Sequence, residues 1–336
     1  MKNNDFVEAS AYIRVLEKRM LSNADVNRLI DAPSAAELLK LVSSSSELSF
    51  TALARPQDYE TVLTDALEKL YELGFKLANG SNEIVDIAAC KYSFHNVKSA
   101  LKLRFLKTNS DQIYSSINTS DLSVEIIKSA VQNADASAEL PEYLSFAVNE
   151  AIKEFEGSHD PQMFDILLDK AMFGRMLALC NAVGSDIVTG YVKKQIDFYN
   201  VKTLMRVKEM QKGTSFLSEA LLEGGELAKT FYLENYTQSP LSVANLLFYK
   251  YFGNEAKAGL ESYERTGNLS ELEKLFDNAL LEQAKKVKYV AFGPENLFGF
   301  IVAKENEIRQ VRILMTGKIN SVSQSALRER LRDNYA

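Results

Sequence analysis

The stretch that decides the fold runs from Phe198 to Lys208 and reads FYNVKTLMRVK. Its apolar residues recur every three or four positions, which is typical of one face of an amphipathic helix. A related stretch, FHNVKSALKLR, begins 104 residues earlier at Phe94. Another, IRQVRILMTGK, begins 110 residues later at Ile308. The same helix therefore occurs three times, which indicates a repeated architecture rather than a single recognition element.

The apolar stripe of this helix can be followed through all three copies. In the middle copy its members are spaced four, three, four, three and four residues apart: Ile187, Tyr191, Lys194, Phe198, Val201 and Met205. Four of the six positions are apolar in every copy, namely Ile87/Tyr191/Ile301, Phe94/Phe198/Ile308, Val97/Val201/Val311 and Leu101/Met205/Met315. We expect this stripe to form the core of each repeat. Cys90 lies on the stripe in the first copy and is expected to be an inert buried thiol.

A second landmark precedes each copy of the helix. Asp65, Asp169 and Asp277 each follow an apolar residue by one or two positions. The first two lie 31 residues before Asn96 and Asn200, and the third lies 33 residues before Gln310. These aspartates are expected to cap a neighbouring helix or to pair with a basic residue inside the same domain.

Two landmarks that keep their separation in three copies predict a triplicated chain. The prediction is three tandem helical domains at residues 1–110, 111–213 and 214–336, with boundaries near Asn109–Ser110 and Gly213–Thr214. Similar domains in tandem tend to meet through similar surfaces, which favours a pseudo-threefold arrangement. Each domain would be a small helical bundle that buries its own stripe.

The composition predicts an all-α fold. Only 15 glycines and six prolines interrupt 336 residues, and no run alternates in the manner of a half-buried strand. The sequence Ser34-Ala35-Ala36-Glu37 has the form of a capping box and predicts a helix start.

The charge distribution limits the classes of partner. A net charge of −6 argues against a nucleic-acid binder, whose affinity depends on neutralising phosphates. From Lys304 to Ala336, seven basic residues stand against four acidic ones, so the partner of this tail is expected to be acidic. The opening residues lack the apolar core of a signal peptide, and no apolar run is long enough to span a bilayer. The sequence therefore predicts a cytoplasmic protein that is at most peripheral to a membrane.

A set of basic residues forms the candidate partner interface. Lys98, Lys202 and Arg312 occupy equivalent positions in the three copies, and a second equivalent position is basic in each copy. These cations either surround a pseudo-threefold surface and meet acidic groups of a partner, or form the solvated face of three helices and pair with the recurring aspartates. The full candidate set is Lys98, Lys202, Arg312, Lys318, Arg328 and Arg330.

Catalytic signatures are absent from the sequence. His95 and His159 have no cysteine, serine or acidic partner at a spacing that favours nucleophilic catalysis, and His95 is expected to be half-buried because it replaces Tyr199. No phosphate loop or dinucleotide motif occurs. Asp165 and Asp169 lie four residues apart, but no further metal ligand stands at a matching spacing. We predict no catalytic residue, cofactor or metal.

The last 45 residues resemble a known family. The motif Gly293-Pro294-Glu295-Asn296 leads into Glu305-Asn306-Glu307-Ile308-Arg309-Gln310-Val311-Arg312, and the chain continues through Leu327-Arg328-Glu329-Arg330 to Tyr335. This pattern is similar to the C-terminal signature of the C subunit of archaeal and bacterial V-type (A-type) rotary ATPases, the relative of the eukaryotic d subunit. Tyr199-Asn200-Val201-Lys202 and the N-terminal Tyr12-Ile13-Arg14-Val15-Leu16-Glu17 extend the resemblance over the whole chain.

The resemblance implies a non-catalytic part of a rotary motor. In that family the protein is a helical, funnel-shaped body of three domains that joins the central shaft to the membrane rotor ring and turns with both. Its partners would be the shaft subunits and the proteolipid ring, and it would lie on the cytoplasmic face of the membrane without inserting into the bilayer. The coupling ion, proton or sodium, stays open. An adaptor or scaffold that binds other proteins is the alternative, and a helical enzyme is a third hypothesis.

Overall fold

The computed structural model describes residues 3–50, 55–106, 113–132, 139–250 and 252–336. Helices occupy most of these ranges and no strand occurs within them, so the predicted all-α class is confirmed. The α-helices are, in chain order, α1 Val7–Glu17, α2 Asn23–Asp31, α3 Ala35–Ser45, α4 Tyr59–Ala78, α5 Glu83–Leu106, α6 Val124–Gln132, α7 Glu142–Ser158, α8 Gln162–Val183, α9 Asp186–Glu209, α10 Thr214–Ala220, α11 Lys229–Glu234, α12 Pro240–Leu247, α13 Gly253–Thr266, α14 Ser270–Lys285, α15 Pro294–Ile319 and α16 Gln324–Arg330. Short 3₁₀ segments cover Asn3–Phe6, Pro56–Asp58 and Lys286–Tyr289.

The helices form two units. Unit 1 joins both ends of the chain, Met1–Gly80 and Gln238–Ala336, whereas unit 2 is the continuous segment Ser81–Thr237. The two units do not coincide with the three repeats, and the division at residues 110 and 213 stays a prediction. The first of these boundaries, at Asn109–Ser110, lies outside the described residues.

Unit 1 is built around α15. This helix packs on α4 most extensively and also on α1, α3 and α14. Its stripe residues Ile308, Val311 and Met315 are buried in one cluster with apolar residues of α2, α3, α4 and α16. The stripe of the third repeat is therefore core, and that core includes helices from the opposite end of the chain.

Unit 2 is built around α8. Both α5 and α7 pack extensively on this helix, and α9 also contacts it. The stripe residues Phe94, Val97 and Leu101 of α5 are fully or almost fully buried, as are Phe198 and Val201 of α9. Cys90 is buried as predicted, and burial raises the pKa of its thiol far above the ordinary value.

The helix starts follow local capping chemistry. Ser34 precedes α3 and its Oγ accepts a hydrogen bond from the backbone nitrogen of Glu37 at 3.2 Å, so the predicted start is confirmed. The reciprocal box forms instead at α2, where Ser22 and Asp25 satisfy each other's backbone amides. Such reciprocal caps satisfy two backbone amides that have no partner within the helix.

Candidate functional site

The landmark amides of the repeat act as clamps on the chain. Asn200 is fully buried, and its Nδ2 donates to the carbonyl oxygen of Leu222 at 3.0 Å. Its Oδ1 accepts from the backbone nitrogen of the same residue at 2.8 Å. One side chain thus satisfies both backbone groups of a buried residue that lies 22 positions further along. Buried backbone groups need such partners, since leaving them unpaired costs free energy.

The first copy has the same clamp, and the third copy has only its donating half. Asn96 donates to the carbonyl oxygen of Ser115 at 2.9 Å and accepts from its backbone nitrogen at 2.7 Å. Gln310 donates to the carbonyl oxygen of Asp333 at 3.3 Å and to the side-chain oxygen of Asn334. Each long helix therefore holds the segment that follows it by means of an equivalent side chain.

A second buried polar side chain lies three residues before each landmark amide. Ser93 Oγ accepts from the backbone nitrogen of Thr119 at 2.9 Å, and Asp197 accepts from that of Glu226 at 2.9 Å. Glu307 accepts from the backbone nitrogen of Leu21 at 2.7 Å. The sequence analysis did not predict this set, although the sequence of each copy has a polar residue next to the apolar stripe at this position.

The partner of Glu307 distinguishes the third copy. In the first two copies the accepted amides follow the long helix, whereas Leu21 lies near the start of the chain. Glu307 also pairs with Lys304 at 2.6 Å, and both side chains are almost completely buried. The third clamp therefore fastens the N-terminal part of unit 1 to α15.

The recurring aspartates pair with cations, but not always within their own repeat. Asp169 on α8 accepts from Lys98 on α5 at 2.5 Å and from the hydroxyl of Tyr199 at 2.9 Å. Burial and the Asp169 charge raise the pKa of Tyr199, so the phenol stays a hydrogen-bond donor at ordinary pH. Lys98 belongs to the first predicted domain and Asp169 to the second, so this pair crosses the predicted boundary.

The other two aspartates differ from this arrangement. Asp277 accepts from Arg309 and from Arg332, both at 3.0 Å, within unit 1. Asp65 pairs with Lys69 one turn along the same helix at 2.7 Å, and both side chains are more than half exposed. All three aspartates therefore pair with a cation, but the cation occupies a different position in each case.

The six predicted interface cations are distributed over both units. Lys98 and Lys202 lie in unit 2, on α5 and α9. Lys98 is mostly buried in its ion pair, with 18% of its side chain exposed, and Lys202 is half-buried. Their use as a partner interface stays a prediction.

The remaining four cations lie in unit 1. Arg312 makes a two-pronged ion pair with Glu60 of α4 at 2.7 to 3.1 Å, and both side chains are partly exposed. Lys318 donates to the carbonyl oxygens of Ile30 and Ala32 at 2.6 and 2.7 Å, at the C-terminus of α2. Burial lowers the pKa of Lys318. A cation at this end of a helix is stabilised by the helix dipole.

The C-terminal arginines are more accessible. Arg328 donates to Asn27 and Asp31 of α2 at 2.6 and 2.8 Å, while Arg330 is exposed. Arg330 and Arg312 line the same open groove of about 890 Å³, which lies between α13 and α14 on one side and α15 and α16 on the other. The structure therefore brings these two members of the predicted set together in one groove.

The motifs at the two ends of the chain meet in a single hydrogen-bond network. Arg14 donates to the carbonyl oxygens of Val287 and Val290 at 2.8 and 3.0 Å, and to Glu17 at 2.8 Å. Glu17 in turn accepts from the hydroxyl of Tyr335 at 2.9 Å. The N-terminal and C-terminal sequence motifs therefore stabilise unit 1.

The residues considered for catalysis have other environments. His95 is exposed rather than half-buried, so that prediction was wrong, and its Nε2 lies 3.0 Å from the carbonyl oxygen of Ile113. Asp165 accepts from Lys102 at 2.8 Å, and Asp169 is occupied as described above. In the described ranges no group of three or more histidine, cysteine, aspartate or glutamate side chains has the geometry of a metal site. Among the helices of the same ranges, none is both long enough and apolar enough to cross a bilayer.

These features define an all-helical protein in which recurrent buried polar side chains hold long helices to the segments around them. Residues 9–330 match the family model of the ATP synthase (C/AC39) subunit, and the chain belongs to this family. It is 26% identical to the C subunit of the V-type sodium ATPase of Enterococcus hirae over 331 residues, which cover 98% of this chain and 99% of that protein. It is 24% identical to the C subunit of the A-type ATP synthase of Methanocaldococcus jannaschii, over 97% of this chain and 86% of that protein. The corresponding C subunit of Methanococcoides burtonii is 22% identical, over 98% of this chain and 94% of that protein.

Proposed function

We propose that this chain is the non-catalytic central-stalk subunit of a V-type rotary ATPase or ATP synthase. It joins the central shaft to the membrane rotor ring, so that rotation couples ATP hydrolysis or synthesis to the transport of protons or sodium ions. The observation that carries the proposal is the family match over residues 9–330, with relatives named as C subunits aligned along almost their full length.

The internal packing of the chain suits a part that transmits torque. Such a part must resist shear between its helices, and satisfied hydrogen bonds of buried side chains rigidify the packing of a core. Asn96, Asn200 and Gln310 supply bonds of this kind at three equivalent places. A coupling part needs no substrate pocket, because ATP chemistry takes place in other subunits of such a complex.

The recurrent clamps also support the threefold organisation that we propose for the protein. In this proposal three helical repeats surround a funnel that receives the shaft, and the opposite end rests on the rotor ring. The protein lies on the cytoplasmic face of the membrane. Lys202 and Arg312 occupy equivalent positions in two repeats and are both partly exposed, which suits them to meet acidic groups of the shaft or ring.

Photo-crosslinking in the assembled complex tests this function. A photoreactive phenylalanine analogue at position 202 or 312 is expected to form cross-links to shaft or ring subunits in membranes that carry the complex. The matched control places the analogue at Glu264, which is exposed on α13 and outside the cation set. If the chain does not purify with the rotary complex, the proposal is wrong. Cross-links to unrelated soluble proteins would instead favour an adaptor.

A further inference from the structure

We draw no further inference here: the strongest candidate, a cavity of about 270 Å³ in unit 1 between α4 and α15 with the buried Lys304–Glu307 ion pair in its wall, carries no proposal because nothing in the described part of the structure shows what fills it.

Discussion

Removal of the Asn200 clamp should destabilise unit 2 by a predictable amount. In Asn200→Ala both backbone groups of Leu222 lose their partner, in a place where Leu222 is only 2% exposed. An orphaned buried backbone group costs about 1–3 kcal/mol, so the two together should lower the free energy of unfolding by about 2–6 kcal/mol. Alanine has the higher helix propensity by about 0.5 kcal/mol, which offsets only a small part of this loss.

Two measurements on the same sample check this prediction. Urea unfolding followed by circular dichroism should give a lower midpoint for the unit that contains α9. Amide hydrogen exchange should show Leu222 losing protection before the helices around it. The control is Asn245→Ala, because Asn245 is exposed on α12 and its replacement should be neutral or slightly stabilising. If Asn200→Ala behaves like this control, within about 0.5 kcal/mol, the clamp does not stabilise unit 2.

Three further perturbations test other parts of the structure. Lys98→Met should cost about 2 kcal/mol of unfolding free energy, because it leaves the buried Asp169 carboxylate with the Tyr199 phenol as its main partner. A double-mutant cycle with Asp169→Asn should show coupling between the two residues, and additive effects would contradict the ion pair. Burial raises the pKa of Asp86 despite its hydrogen bonds from Ser120, so the folded state binds a proton more tightly than the unfolded state does. The Asp86 contribution to stability therefore falls as pH rises from the ordinary value of 3.8 to the raised pKa, and it stays low above that pKa. In urea titrations at a series of pH values, the free energy of unfolding of Asp86→Asn should increase relative to that of wild type over this interval. Parallel pH profiles of the two proteins would refute this. Tyr335→Ala should cost about 3 kcal/mol in thermal or urea unfolding, because it removes a side chain that is only 4% exposed. Tyr335→Phe removes only the hydroxyl and should cost about 1 kcal/mol. Equal losses would mean that the hydroxyl rather than the ring stabilises this end of the chain.

The long helices and their buried stripes could be predicted from the sequence. The spacing of Phe198, Val201 and Met205 is set by helix geometry alone, and all three are buried. Such a pattern is set within one helix, so it does not depend on which elements pack against that helix. The all-α class followed for the same reason.

The partners of the polar residues could not be predicted. Asn200 was recognised as a landmark, but its clamp on Leu222 joins segments 22 residues apart, and no periodic pattern encodes that contact. The pairing of Lys98 with Asp169 over 71 residues is likewise a tertiary contact. It links α5 to a helix that was predicted to belong to another domain, because helix packing rather than chain order decides which charges meet.

Residues at equivalent positions of two repeats can have different structural environments. His95 occupies the position of Tyr199, yet Tyr199 is half-buried against Asp169 whereas His95 is exposed beside Ile113. The cation set illustrates the same point, since Arg312 pairs with Glu60 on α4 rather than with an aspartate of its own repeat.

The proposed coupling of the shaft to the membrane ring can be measured directly. The test reconstitutes the rotary complex into vesicles with and without this chain and measures ATP hydrolysis and ion uptake in parallel. With the chain present, hydrolysis should drive uptake; without it, the catalytic subunits should still hydrolyse ATP while uptake is lost. Full ATP-driven uptake in a complex that lacks the chain would contradict the proposed coupling role.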